Sequence, residues 1–191
     1  MSRLQPALAV LALATGIGAA ACGEEEALPD SSDLGGFLGL EDGASWTYRA
    51  DVDTGAAEPE DLLAARFEGG GRVALRDNAR WADGTDAGHL EWAEGGGLAL
   101  VGWELGAESG SEPVTLVAEG AESGDSATRG GLTCTATFPT AVTSWYADFE
   151  EGLLVDCEGP GGLAGQWSFA WGFGLVRLQI EAQTLDLVAP W

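Results

Sequence analysis

Three cysteines and a single histidine carry most of the specific chemistry this 191-residue chain could perform. Cys22 closes the run GIGAAAC, whereas Cys134 and Cys157 sit in GLTCTATF and GLLVDCE. A cysteine can be half of a disulfide, a reactive thiol or an attachment point. Neither Cys134 nor Cys157 has a histidine near it in sequence to activate it. His89 would have to serve any metal site or Ser-His-Asp triad alone, so no metal ligand is assigned. The chain lacks G-x-S-x-G, H-E-x-x-H, C-x-x-C and P-loop patterns, and no catalytic residue or cofactor site is assigned. DVDTG, Asp51 to Gly55, begins like an oxygen-ligand calcium loop. Gly55 then stands where a third ligand belongs and Leu62 where the bidentate Glu should be, and a tight turn explains the same residues. Adjacent carboxylates such as Glu150 and Glu151 carry little information among 31 Asp and Glu. The eight Trp could form stacking platforms or line a cavity. Trp46, Trp103, Trp145 and Trp167 lie within apolar alternation, which assigns them to a core.

Charge narrows the partners. Eight basic residues, all Arg, face 31 acidic ones, for a net charge of −23. Such a surface repels phosphate backbones, so nucleic acid is excluded as a partner. It repels anionic lipid heads too, leaving solvation as the plain reason for the acid excess.

The elements that must position these residues begin with the N-terminus. Arg3 and the amino group precede an apolar, small-residue run from Pro6 to Ala21, and charge returns at Glu24, Glu25 and Glu26. That run is shorter and weaker than the roughly 20 apolar residues a spanning helix needs, and it reads as a secretory signal peptide over 1–21. Residues 22–36 (CGEEEALPDSSDLGG) are acidic and turn-rich, as in a flexible tether. Residues 37–191 are left for one β-rich domain, since removing 21 residues from 191 leaves about 170, too few for two full cores.

Ala19-Ala20-Ala21-Cys22 resembles the lipobox of bacterial lipoproteins, with Ala19 where Leu is usual. The resemblance implies cleavage before Cys22, a diacylglycerol on its sulfur and a further acyl chain, such as palmitate, on its new amino group. Two or three chains make a lasting membrane anchor, whereas one binds marginally. Gly23, in place of the Asp that signals inner-membrane retention in that family, implies the outer membrane, on the periplasmic face or at the cell surface. A secreted protein with a free Cys22 thiol and an uncleaved membrane helix are the alternatives.

Past residue 37 the chain breaks into short alternating pieces split by glycines. Strands are expected at 45–52, 64–68, 72–77, 88–94, 98–105, 114–119, 132–138, 144–149, 153–158, 166–171 and 175–187, the last one interrupted. Turns are expected at GGG (69–71), DGTD (83–86), GGG (95–97) and EEG (150–152). Only 56–65 offers a short helical stripe. This is an all-β pattern: one antiparallel domain, as a strongly curved sheet, barrel or sandwich. With turns centred near Thr85 and Gly96, Trp81, His89 and Trp103 fall side by side across three strands as a packed row. Cys134 and Cys157 share the apolar faces of their strands. In an exported chain they are expected to form a disulfide, stabilising the fold by about 3 kcal/mol, with two reduced core thiols as the alternative.

Two further stretches resemble a broad set of uncharacterised bacterial envelope lipoproteins. FLGLEDGASWTYR is similar to their opening G-x-x-W-x-Y strand, here Gly43, Trp46 and Tyr48. FAWGFGLVRL is similar to their closing Y-A-x-G-V-G-L-V-K/R, with Phe169 and Phe173 in place of Tyr and Val. The resemblance implies an envelope β-domain and brings no catalytic residue. Three functions follow: a non-enzymatic structural or interaction module, a lipid or apolar-ligand carrier of the Lol type, and, resting only on carboxylates and aromatics, an acid-dependent hydrolase. An apolar cavity of several hundred cubic ångströms would mark the second, and paired buried carboxylates in a cleft the third.

Overall fold

The computed structural model describes residues 34–50, 62–78, 82 and 84–190. Apart from a 3₁₀ turn at Leu34–Phe37, its regular structure is all strand. The strands are β1 (Ser45–Ala50), β2 (Leu62–Gly69), β3 (Arg72–Arg76), β4 (Asp86–Trp92), β5 (Leu98–Leu105), β6 (Glu108–Gly110) and β7 (Val114–Val117). They continue as β8 (Ser126–Arg129), β9 (Leu132–Thr143), β10 (Asp148–Glu158), β11 (Gly165–Ala170), β12 (Gly174–Ile180) and β13 (Thr184–Pro190). All join one antiparallel sheet in the order β6-β5-β4-β3-β2-β1-β13-β12-β11-β10-β9-β8, with β7 on the same edge of β5 as β6. Two meanders, β1 to β7 and β8 to β13, are thus joined where the first strand pairs with the last. The sheet curls until β7 packs against β8 and β9, but no ladder joins them, so it is strongly curved without being a closed barrel.

The alternation of apolar residues fills the inner face. Leu132, Cys134 and Ala136 of β9 and Leu153, Val155 and Cys157 of β10 are all buried. Cys134 and Cys157 stand directly opposite and form the expected disulfide. Deeper in, Trp92 meets Trp167 and Phe169 edge-on, with ring centroids 6.2 and 5.9 Å apart. The space left among Trp46, Tyr48, Trp92, Phe169 and their neighbours is ≈ 20 Å³, room for about one water.

Several local expectations are corrected. Residues 144–147 are the tip of the β9–β10 hairpin rather than the start of a strand. The EEG segment 150–152 is no turn. It lies inside β10, where the pairing with β9 slips between Phe149 and Gly152 and again before Leu154. Extra residues on one strand of a pair bend it, and Gly152 lets the bend close, because a Cβ there would collide with Val142. β6 (ESG) and β8 (SATR) are strands with too little apolar character to advertise themselves. Leu62 to Ala65, the end of the short helical stripe, belong to β2, and 56–61 lie outside the described residues.

The row of Trp81, His89 and Trp103 also needs correction. Trp92 pairs with Leu100, symmetric about Gly96 as expected, but the register then slips by one residue. His89 consequently faces Glu104, and Trp103 faces Leu90. One extra residue is enough to break a cross-strand row. Trp81 lies outside the described residues. At the N-terminal side the packed domain begins before Phe37: Leu34, in the stretch composition assigns to the tether, is 1% exposed in the 3₁₀ turn.

Candidate functional site

The two stretches that open and close the domain meet. On the inner face of β1, the Trp46 indole donates to the Phe173 carbonyl at 2.7 Å and the Tyr48 hydroxyl to the Leu175 carbonyl at 2.7 Å. Burial pushes the Tyr48 phenol well above its ordinary pKa, so it stays a donor at any physiological pH. Gly174, at φ +83°, lets the closing strand pass where a Cβ would lie 2.6 Å from the Leu38 carbonyl oxygen.

On the outer face of β1, β13 and β12 lies a row of charge. Asp186 of β13 pairs across the ladder with Arg49 of β1 on one side and Arg177 of β12 on the other. Outward residues of a sheet ordinarily face water, yet Arg49 is 1% and Asp186 4% exposed. Their cover is the tip of the bent β9–β10 hairpin. The Trp145 amide donates to Asp186 Oδ1 at 2.7 Å, and the Trp145 ring lies over the Arg49 guanidinium, 5.2 Å from its centroid. The Tyr146 amide donates to the Leu187 carbonyl at 2.9 Å. Within the tip, the Ser144 hydroxyl accepts from the Tyr146 and Ala147 amides. Arg177 Nε stands 3.9 Å from Asp186 Oδ2. Burial pushes the Asp186 carboxyl above its usual range, while the Trp145 amide and the two arginines pull the other way.

This arrangement pins the backbone and leaves the rings out. Trp145 is 59% exposed, Tyr146 47% and Trp171 41%, the large apolar side chains most open to solvent among the described residues. The Tyr146 and Phe149 rings lie 6.2 and 5.0 Å from Phe173, two residues along the β11–β12 turn from Trp171. Trp171 in turn meets Phe37 edge-on at 5.3 Å and lies over Gly36, whose amide neighbourhood is tied down by a Gly172 N–H to Gly36 carbonyl bond. Two ring clusters result, Trp171 on Phe37 and Tyr146 with Phe149 on Phe173, and with Trp145 at the β9–β10 tip they make up the aromatic face.

The residues singled out in the sequence are distributed differently. Residues 1–21, Cys22 and the DVDTG segment lie outside the described residues. Cys134 and Cys157 are inside, away from the aromatic face. His89 stands on the outer face of β4 with its Nδ1 3.8 Å from Glu104 Oε2. Glu150 and Glu151 are exposed. Of the four Trp assigned to a core, Trp46 and Trp167 are buried, Trp103 is half-buried and Trp145 is exposed, because 144–147 is a hairpin tip and not a strand. Arg49, Asp186, Tyr146 and Trp171 went unmarked. The one available signal was polarity at outward positions of otherwise apolar strands, Arg49 in SWTYRA and Asp186 in TLDLVAP.

Among the described residues, Asp186 is the one buried carboxylate and no three metal-ligating side chains gather. No helix there is long and apolar enough to cross a membrane. Comparison with protein-family models, curated proteins and solved structures returns no match. What the geometry offers chemically is contact: rigid amphipathic rings presented on a fixed backbone.

Proposed function

We propose that this chain is a lipid-anchored protein of the bacterial envelope whose β-domain is a non-enzymatic interaction module. Its anchor is the acylated Cys22, its membrane the outer one, and its contact surface the face of Trp145, Tyr146 and Trp171. The observation that carries this reading is the buried Arg49–Asp186 pair, flanked by the half-buried Arg177, which holds the hairpin tip while Trp145 and Tyr146 stay exposed. Burying charge under a loop is costly, and exposed aromatics held in one geometry lose little entropy on contact. The filled interior supports a surface function over an enclosed apolar-ligand site, because ≈ 20 Å³ holds no lipid chain.

The anchor is tested by Cys22→Ser expressed in a bacterial host. The wild-type protein takes up labelled palmitate and fractionates with membranes, whereas the variant takes up none and is recovered in the periplasm. Membrane retention of the unlabelled variant would sink the anchor.

A further inference from the structure

The aromatic face has a fixed relation to the chain that leads toward Cys22. The described residues begin at Leu34, and the turn Leu34–Phe37 is itself part of that face, through Phe37 against Trp171 and the Gly36–Gly172 hydrogen bond. Positions 23–33 separate Cys22 from Leu34, a span that chain length limits to about 40 Å. If Cys22 carries acyl chains, the chain from the bilayer enters the domain beside Trp171, on the side that exposes Trp145 and Tyr146, and that attachment favours this side facing the membrane. Indole and phenol rings settle at the level of lipid headgroups, one end apolar and the other hydrogen-bonded to water.

We infer that this face beds in the interfacial layer of the membrane that holds Cys22, taking zwitterionic lipid as its partner. The inference rests on the anchor proposed above. Tethering supplies the local concentration, so the rings need only weak affinity of their own to keep the domain seated. The charge around them sets the lipid class. Glu41, Asp42, Asp148, Glu150 and Glu151 are exposed on the stretches that follow the N-terminal turn and the hairpin tip, and Arg49, beneath Trp145, is buried. Anionic headgroups are repelled at that rim and zwitterionic ones are not. A soluble protein partner would fit the aromatic chemistry equally well. The entry of the Cys22 segment on this edge favours the bilayer.

The test uses the full lipoprotein purified from its host and reconstituted in vesicles of phosphatidylcholine brominated on the acyl chains. Intact mass and flotation first report whether the chain is acylated and membrane-bound. Quenching of tryptophan emission by the bromine atoms then reports ring insertion. The expected result is an acylated, floating protein with quenched emission, most of that quenching being lost in the Trp145→Phe/Trp171→Phe variant. That variant keeps apolar rings and therefore the fold, checked by near-ultraviolet circular dichroism. Adding phosphatidylglycerol should reduce the quenching, and high salt should restore it. An acylated, floating protein without quenching, or with quenching unchanged in the double variant, overturns the bilayer as occupant while the anchor stands. A chain without acyl mass that fails to float overturns the anchor and the inference together.

Discussion

Two acid–base pairs stand on the outer face of this sheet at nearly equal separation: His89 with Glu104 at 3.8 Å, and Arg177 with Asp186 at 3.9 Å. Their surroundings differ. The two basic partners are alike, His89 20% and Arg177 30% exposed, but the Glu104 carboxylate is 56% exposed whereas the Asp186 side chain is 5% exposed beneath the Ser144–Ala147 tip. Distance alone would rank them as equals. In water such a pair contributes about 0–1 kcal/mol, while under cover the loss of one member strands the others at a cost of several kcal/mol. The sheet holds something at only one of the two places: the second meander uses a buried carboxylate to fix a loop, and the first leaves its carboxylate in solvent.

The sharpest way to break that contrast is Asp186→Ala. It removes the acceptor for the Trp145 amide and the carboxylate between Arg49 and Arg177. A loss of about 3 kcal/mol in urea unfolding is expected, together with release of the tip, read as faster exchange of the Trp145 amide. A change below about 0.5 kcal/mol would erase the distinction between the two pairs. Next comes Gly152→Ala, which puts a methyl group against Val142 at the bend that swings the tip over Asp186. We expect about 1–2 kcal/mol of destabilisation and weaker protection of the tip.

A third measurement follows pH. The folded Asp186 pKa is raised above its ordinary 3.8, so between the unfolded and folded values the native state keeps a proton that the unfolded chain has released. This group's contribution to stability is therefore full below pH of about 3.8 and is lost as pH rises through the folded value. Urea midpoints stepped upward from that pH should fall more steeply for the wild type than for Asp186→Asn. Parallel slopes would remove the argument from burial. The smallest effect belongs to Glu104→Ala, expected to stay within about 0.5 kcal/mol because the Glu104 carboxylate is hydrated and screened.

Much of the fold was legible. Glycine punctuation and period-2 alternation placed Leu98–Leu105 to the residue and most other strands within a few positions. The phase of Cys134 and Cys157 was legible for the same reason: alternation encodes which face a residue takes. The errors cluster where pairing slips. A bulge adds a residue on one strand only, so nothing in either strand's own pattern announces it, yet every residue beyond changes its partner. His89 lost Trp103 as its neighbour in this way, and 150–152 passed for a turn.

The candidate site was barely legible, because it joins segments far apart. Trp145 and Asp186 are 41 positions apart in the chain, and Trp46 reaches a carbonyl 127 positions on. In sequence, Trp145 in SWYADF reads as core because an aromatic amid alternation usually is.

What the sequence determined by itself was a strand-rich chain with an inward apolar face, an acidic surface and a cysteine pair in matching phase, since each of these is written in local spacing and composition. Tertiary structure alone decided that a bent hairpin would lie across β1, β12 and β13, burying Arg49 and Asp186 while turning Trp145 and Tyr146 outward. Faces are set by a period of two residues, whereas cover is set by how the curved sheet brings distant segments together, and no local pattern carries that distance.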